Sequence, residues 1–183
     1  MRKTFVRFFT IADYEEEEAW LRSQHQNGWK LVKMVPPCFY VFEACEARDM
    51  IYRLDFKNDK RTDEYMQMLR DFGWEYLGEC FGWLYFRKPA SDAETEADGE
   101  LFSDDESRLD HITTIVKTRL WPLVVIFLCC VLPNLFRYTL GGHAGGLEAF
   151  FAIFFGVMFV VYAFLITYTG IKLKRKRDSY KKD

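Results

Sequence analysis

The chain lacks most of what marks an enzyme. Its three histidines, His25, His111 and His143, are scattered over the sequence, so they form no shared metal or acid–base site. There is no glycine-rich phosphate loop and no nucleophile elbow. The five cysteines, Cys38, Cys45, Cys80, Cys129 and Cys130, are an odd number with neither metal-like nor redox-like spacing. A reduced cytosolic setting suits the first three better than a disulfide framework. The expectation is a non-catalytic protein without cofactor or metal.

No leader segment is expected either. The opening MRKTFVRFF is interrupted by Arg7 and closed off by Asp13 and Glu15 to Glu18, which leaves no apolar core long enough for a signal peptide. Net basic charge is missing from the first part. Through residue 118 there are 24 acidic and 16 basic side chains, and 24 − 16 leaves eight net negative charges. Because phosphate neutralisation supplies much of the affinity for nucleic acid, nucleic acid is excluded as a partner.

From residue 119 onward the balance reverses, with nine basic and three acidic side chains. Two runs there are nearly free of charge: LWPLVVIFLCCVLPNLF at 120–136, and AFFAIFFGVMFVVYAFLITYTGI at 149–171. Each is long enough to cross a hydrocarbon core of about 30 Å as a helix. Basic residues Lys172, Lys174, Arg175, Lys176 and Arg177 follow the second run, while the loop between the runs carries only Arg137. Lys/Arg excess marks the cytoplasmic side. The reading is a two-pass plasma-membrane protein with both termini cytoplasmic, the basic residues contacting lipid headgroups. Asn134, Pro122 and Pro133 are candidates for a kink or for a hydrogen bond to the neighbouring helix. No Asp, Glu, Lys, Arg or His lies within either run, which argues for an anchor and against a conduction path.

In the first part, GWKLVKMVPPCFYVFEA (28–44) and GWEYLGECFGWLYFRKP (73–89) align without a gap. Trp29 then falls on Trp74 and Tyr40 on Tyr85. Strand-like FVRFF (5–9) and MIYRLDF (50–56) precede the copies. Helical stretches Asp13 to Asn27 and Arg61 to Phe72 follow them, with Tyr65, Met68, Leu69 and Phe72 spaced to make one stripe. Glu15 to Glu18 open the first helix, where the helix dipole favours negative charge. Gly28 and Gly73 follow the helices as left-handed stops. The fold class expected is α+β: a duplicated strand-helix-strand-strand unit forming one mostly antiparallel, six-stranded sheet with two helices, followed by a C-terminal two-helix transmembrane hairpin.

The expected layout has a cytoplasmic domain at 1–89 and an acidic linker at 90–102. A juxtamembrane amphipathic helix at 103–118 starts with Ser103 and Glu106 in capping-box spacing. Transmembrane helices at 119–140 and 148–171 flank an external turn at 141–147, and a basic tail occupies 172–183.

Trp29, Tyr40, Trp74, Tyr76, Trp83 and Tyr85 are spread over the two copies, Trp29 matching Trp74 and Tyr40 matching Tyr85. They either fill the core or line a groove for a small amphipathic ligand, in which Glu75 meets a cation. Asp55 reads as a solvated carboxylate or a cap.

NGWKLV, IYRLDF, DFGWEYLG, GWLYFRKP and LFSDDES together resemble a bacterial membrane-protein family, the domain of unknown function 2812. The resemblance covers roughly residues 5 to 110. It implies C-terminal membrane segments and, since many members lie beside genes for PadR-like regulators in Firmicutes, a regulatory or envelope-stress context. It implies no reaction. Gln24 and His25 depart from it, standing where apolar residues are expected. The doubled unit is similar in topology to GyrI-like ligand-binding modules, a likeness of fold that does not establish function. The function expected is a membrane-anchored sensory or interaction domain with a protein partner in the membrane or cytoplasm. The alternative is an accessory subunit of a membrane transporter acting through its transmembrane helices.

Overall fold

A computed structural model describes residues 1–56, 63–93, 95, 97–99, 101, 112–140 and 145–179. The chain divides into two compact units, Met1–Arg108 and Leu109–Asp183. The beginning of the juxtamembrane helix with its capping box, Arg61 and Thr62 of the second helix, and residues 141–144 of the turn lie outside the described residues.

The first unit runs β1 (Arg2–Val6), α1 (Tyr14–Gln26), β2 (Trp29–Val35), β3 (Phe39–Ala44), β4 (Met50–Phe56), α2 (Asp63–Asp71), β5 (Glu75–Cys80) and β6 (Trp83–Pro89). Strand-helix-strand-strand thus occurs twice in order, and every strand pair is antiparallel. Both helices stop as the glycines dictate. Gly28 and Gly73 take φ of 81° and 83°, and the Trp74 amide donates to the Leu69 carbonyl at 2.9 Å, closing the last turn of α2.

The α+β class holds, but the strands hydrogen-bond as two sheets of three, ordered β1-β3-β2 and β4-β6-β5, and not as one sheet of six. The reason lies on the edge strands β2 and β5. Register slips between Leu31 and Lys33 in β2 and, 45 positions later, between Tyr76 and Gly78 in β5. Such bulges leave a residue out of the ladder and twist the strand. The Arg87 guanidinium reaches the Leu31 carbonyl at 3.5 Å, occupying an acceptor that a neighbouring strand would need.

Upstream of the glycines the gapless alignment fails. Phe5 lies opposite Tyr40, a separation of 35 residues, while Leu54 lies opposite Tyr85, a separation of 31. β1 therefore corresponds to β4 with a four-residue slip, and it covers Arg2–Val6 where the composition suggested 5–9.

α1 lies between the two sheets. On one side Trp20 meets Phe5, Tyr40 and Phe42 edge-on. On the other, the Glu18 carboxylate accepts the Leu54 amide at 2.7 Å, and Tyr14 stacks on Trp83 at 5.5 Å. α2 covers the far face of the second sheet, where Met66 and Leu69 cluster with Ile51, Trp74, Leu84 and Phe86. Ala90, Ala93 and Leu101, from the segment expected as a linker, pack against that same cluster.

The second unit is a helical hairpin. α3 (Ile112–Leu140) and α4 (Gly146–Ser179) are each long and apolar enough to cross a membrane, and almost none of their apolar surface is buried. Tyr138 stacks on Phe151 and Phe155, and Phe127 packs against Phe159 and Tyr162. One series of numbers falls as the other rises, so the helices are antiparallel. α3 widens into π turns at Val116–Leu120 and Phe127–Val131. A proline ring clashes with the carbonyl four residues back. For Pro122 and Pro133 those residues are Thr118 and Cys129, one in each widened turn. Asn134 bonds within its own helix, donating to the Cys130 carbonyl at 2.7 Å.

Candidate functional site

The glutamate run of α1 divides by burial. Glu15 and Glu16 face water, whereas Glu17 and Glu18 are buried, so the run that opens the helix has a second role beyond its place at the helix dipole. Consecutive helix positions diverge by about 100°, so a helix held between two sheets cannot leave all four outside.

Glu17, 6% exposed, is the centre of the arrangement. The Tyr40 hydroxyl donates to its Oε1 at 2.8 Å, and the Tyr85 hydroxyl donates to the same oxygen at 2.6 Å. Tyr40 is on β3 and Tyr85 on β6, the central strands of their sheets. The equivalent tyrosines of the two halves thus converge on one carboxylate contributed by the first half alone. Desolvation pushes the Glu17 carboxyl above its usual range, and the two phenols oppose this without overcoming it. Burial beside the carboxylate raises both phenols well above their ordinary value, so they remain donors. Aromatic rings surround the cluster: Phe9 and Trp20 meet Tyr40 at 6.2 and 5.0 Å between ring centres.

The sequence-selected residues separate into three places. Tyr40 and Tyr85 meet at Glu17, with Trp83 on the same α1-facing side, stacked on Tyr14 and edge-on to Phe56 at 5.2 Å. Trp74 and Tyr76 are on the α2 side, Trp74 buried in the cluster and Tyr76 tilted against Phe86 at 5.6 Å. Trp29 is half-buried at the start of β2, with the Lys3 ammonium 5.6 Å from its ring centre. Glu75 is exposed and forms a bidentate pair with Arg87 at 2.6 and 2.8 Å. Gly28 and Gly73 are the turns expected of them. Lys172, Lys174, Arg175, Lys176 and Arg177 continue α4 as helix beyond its apolar run.

Three further buried polar pairs emerge. The His25 ring Nδ1 lies 2.8 Å from the Tyr52 hydroxyl, both side chains buried. His25, which stands where an apolar residue is expected, is a bonded core residue. Burial, and after it the charge of Arg87, pull its pKa down to about 4. Asp55, expected in solvent, is buried and accepts from the Tyr65 hydroxyl at 2.8 Å; desolvation raises its carboxyl to about 6. Glu18 accepts from Leu54 and Arg53, bridging α1 to β4. Sequence reasoning missed Glu17. The one available signal was a tyrosine repeated at the same strand position, which implies two buried hydroxyls in search of an acceptor.

No curated protein and no solved structure matches the chain. The family described as Protein of unknown function (DUF2812) matches residues 13–126, from the turn before α1, through β2 to β6 and into the first apolar helix. With well over half of its length matched, including α1, β3 and β6, which carry Glu17, Tyr40 and Tyr85, the chain belongs to that family.

Proposed function

We propose that the protein is a membrane-anchored sensory or interaction domain, non-catalytic, in which the site around Glu17 recognises a small amphipathic ligand. Its two spans would place both termini on the cytoplasmic side, with Lys172 to Arg177 at the headgroups, and we read its two strand-helix-strand-strand units as an internal repeat. One observation carries the proposal: equivalent tyrosines of the two units donate to a single buried carboxylate from α1. A buried carboxylate raised by desolvation gains from a nearby cation, and aromatic faces attract one: the Phe9 and Trp20 rings beside Tyr40 already hold the Arg7 guanidinium, 5.1 Å from each ring centre, a place that a ligand's cation would share or take over. A ligand with an apolar body and a cationic head would satisfy both and alter how α1 is held between the sheets. Regulation would then follow from the changed position of α1.

The full chain in nanodiscs tests this with benzyltrimethylammonium, which is water-soluble and does not accumulate in the bilayer. A Tm that rises with its concentration, as mass action requires for a ligand of the folded state, is expected of the wild type. The rise should vanish in Glu17→Gln. An undiminished rise in that variant would place recognition elsewhere.

A further inference from the structure

The two sheets are not covered alike. In the second, α1 lies against one face and α2 against the other, where Leu84 and Phe86 join the buried cluster. The offset of 45 that matches Tyr40 to Tyr85 makes Phe39 and Val41 the counterparts of Leu84 and Phe86. Among the described residues no helix covers Phe39 and Val41, because α1 packs on the opposite face with Tyr40 and Phe42.

Residues directly opposed in an antiparallel sheet point to the same side, so the uncovered face can be read row by row. Arg2, Glu43 and Lys30 form the first row, Thr4, Val41 and Lys33 the second, and Val6, Phe39 and Val35 the third. Rows lie about 7 Å apart along the strands. Val6 is 67% exposed, Phe39 40% and Val35 37%, and Phe8, two residues past Val6, is 72% exposed. Polarity is therefore graded along the strands. Arg2 and Lys30 share Glu43 at 3.6 and 3.5 Å, Lys33 follows, and the far end is wholly apolar.

We propose that this face docks on an anionic bilayer, with Phe8, Val6, Phe39 and Val35 entering the acyl boundary and Lys33, Lys30 and Arg2 at the headgroups. A surface built for a protein partner sets an apolar centre inside a polar rim. Here the apolar residues stand at one end with cations behind them, the order in which a membrane interface presents acyl chains and then phosphates. The sign also fits. Three cations against one carboxylate make this face positive in a region that is otherwise net negative, and basic residues near anionic lipid favour binding. The proposal rests on the reading that α3 and α4 cross a bilayer, which would keep lipid at high effective concentration beside the sheet.

Photocrosslinking of the full chain tests it. p-Benzoylphenylalanine replaces Phe39 in one variant, Phe8 in a second and Met68, exposed on α2, in a control. Each is reconstituted in nanodiscs of phosphatidylcholine with phosphatidylglycerol, or of phosphatidylcholine alone, and adducts are identified by mass spectrometry. Lipid adducts at positions 39 and 8 and not at 68 are expected, stronger in the anionic discs and reduced roughly fivefold by an added Lys33→Glu. An incorporated chain that yields no lipid adduct at 39 or 8, equal adducts at 68, or a crosslink to a second copy or another protein would overturn the docking face and leave the anchor intact. A chain that does not enter nanodiscs would overturn the anchor, and the docking face with it.

Discussion

His25 and Tyr52 are joined by a 2.8 Å hydrogen bond in the interior, where α1 meets the second sheet. The charge of Arg87 acts on both His25 and Tyr52, so a protonated imidazole would be opposed by a guanidinium. The folded pKa of about 4 is below the imidazole's ordinary value of about 6.5, and the unfolded chain therefore binds more protons between those values. Stability from this group is full above about pH 6.5 and is lost as pH falls toward 4. Asp55, raised to about 6, works in the opposite direction, losing stability as pH rises from its ordinary value through 6. In thermal melts of the detergent-solubilised chain, His25→Gln should lose less Tm than the wild type between pH 7.5 and pH 5. Equal losses would show that His25 does not titrate in this way.

At Glu17, two substitutions should diverge. Glu17→Ala leaves the Tyr40 and Tyr85 hydroxyls buried without their acceptor and should cost about 2–4 kcal/mol. Glu17→Gln retains an acceptor oxygen and removes a charge that burial disfavours. Its stability at pH 7 should match or exceed that of the wild type, and chemical denaturation of both variants would decide it. The sign follows from the raised folded pKa: the wild-type carboxyl favours folding most below its ordinary range and loses that advantage as pH rises.

Gly28 and Gly73 share a conformation but not a neighbourhood. A Cβ on Gly28 would stand 3.2 Å from the Cys45 carbonyl oxygen, whereas on Gly73 it would meet only the Lys88 side chain, at 3.5 Å. Left-handed backbone costs a non-glycine residue about 1–2 kcal/mol at either position. Gly28→Ala must also displace backbone, so it should lower Tm more than Gly73→Ala. Parallel melts that ranked them in reverse would contradict the placement of Cys45.

Trp74, 3% exposed, is packed among Ile51, Met66, Leu69, Leu84 and Phe86. Trp74→Phe should be tolerated at a modest cost, and Trp74→Ala should cost about 3–5 kcal/mol. Urea titration monitored by circular dichroism would measure both. A Trp74→Ala variant as stable as the wild type would mean that the ring does not support the core.

Much of the fold was legible from punctuation and repetition. Gly28 and Gly73 stopped the helices where the chain reads Gly-Trp, and the apolar runs announced α3 and α4. The split into two sheets was not legible, because it depends on bulges beside Val32 and Leu77 and on Arg87 reaching Leu31, and neither residue type nor spacing distinguishes a bulged edge from a paired one. The site was half legible. Tyr40 and Tyr85 stood out as equivalents, but their acceptor came from a glutamate run whose burial is decided by which two surfaces α1 happens to touch. His25 and Asp55 were misjudged for the same reason: a polar residue looks solvated until its partner from a distant strand is known.

The position of α1 between the sheets also bears on biosynthesis. A ribosome delivers β1 to β3 first, and at that stage the helix has one of its two surfaces and Glu17 has only the Tyr40 phenol. The second phenol arrives with β6, after 45 more residues separate Tyr85 from Tyr40. Until then an acidic side chain destined for the interior must stay hydrated, and the nascent first half can close only loosely. The final packing of the first unit is thus timed by its last strand, shortly before the first apolar helix is made.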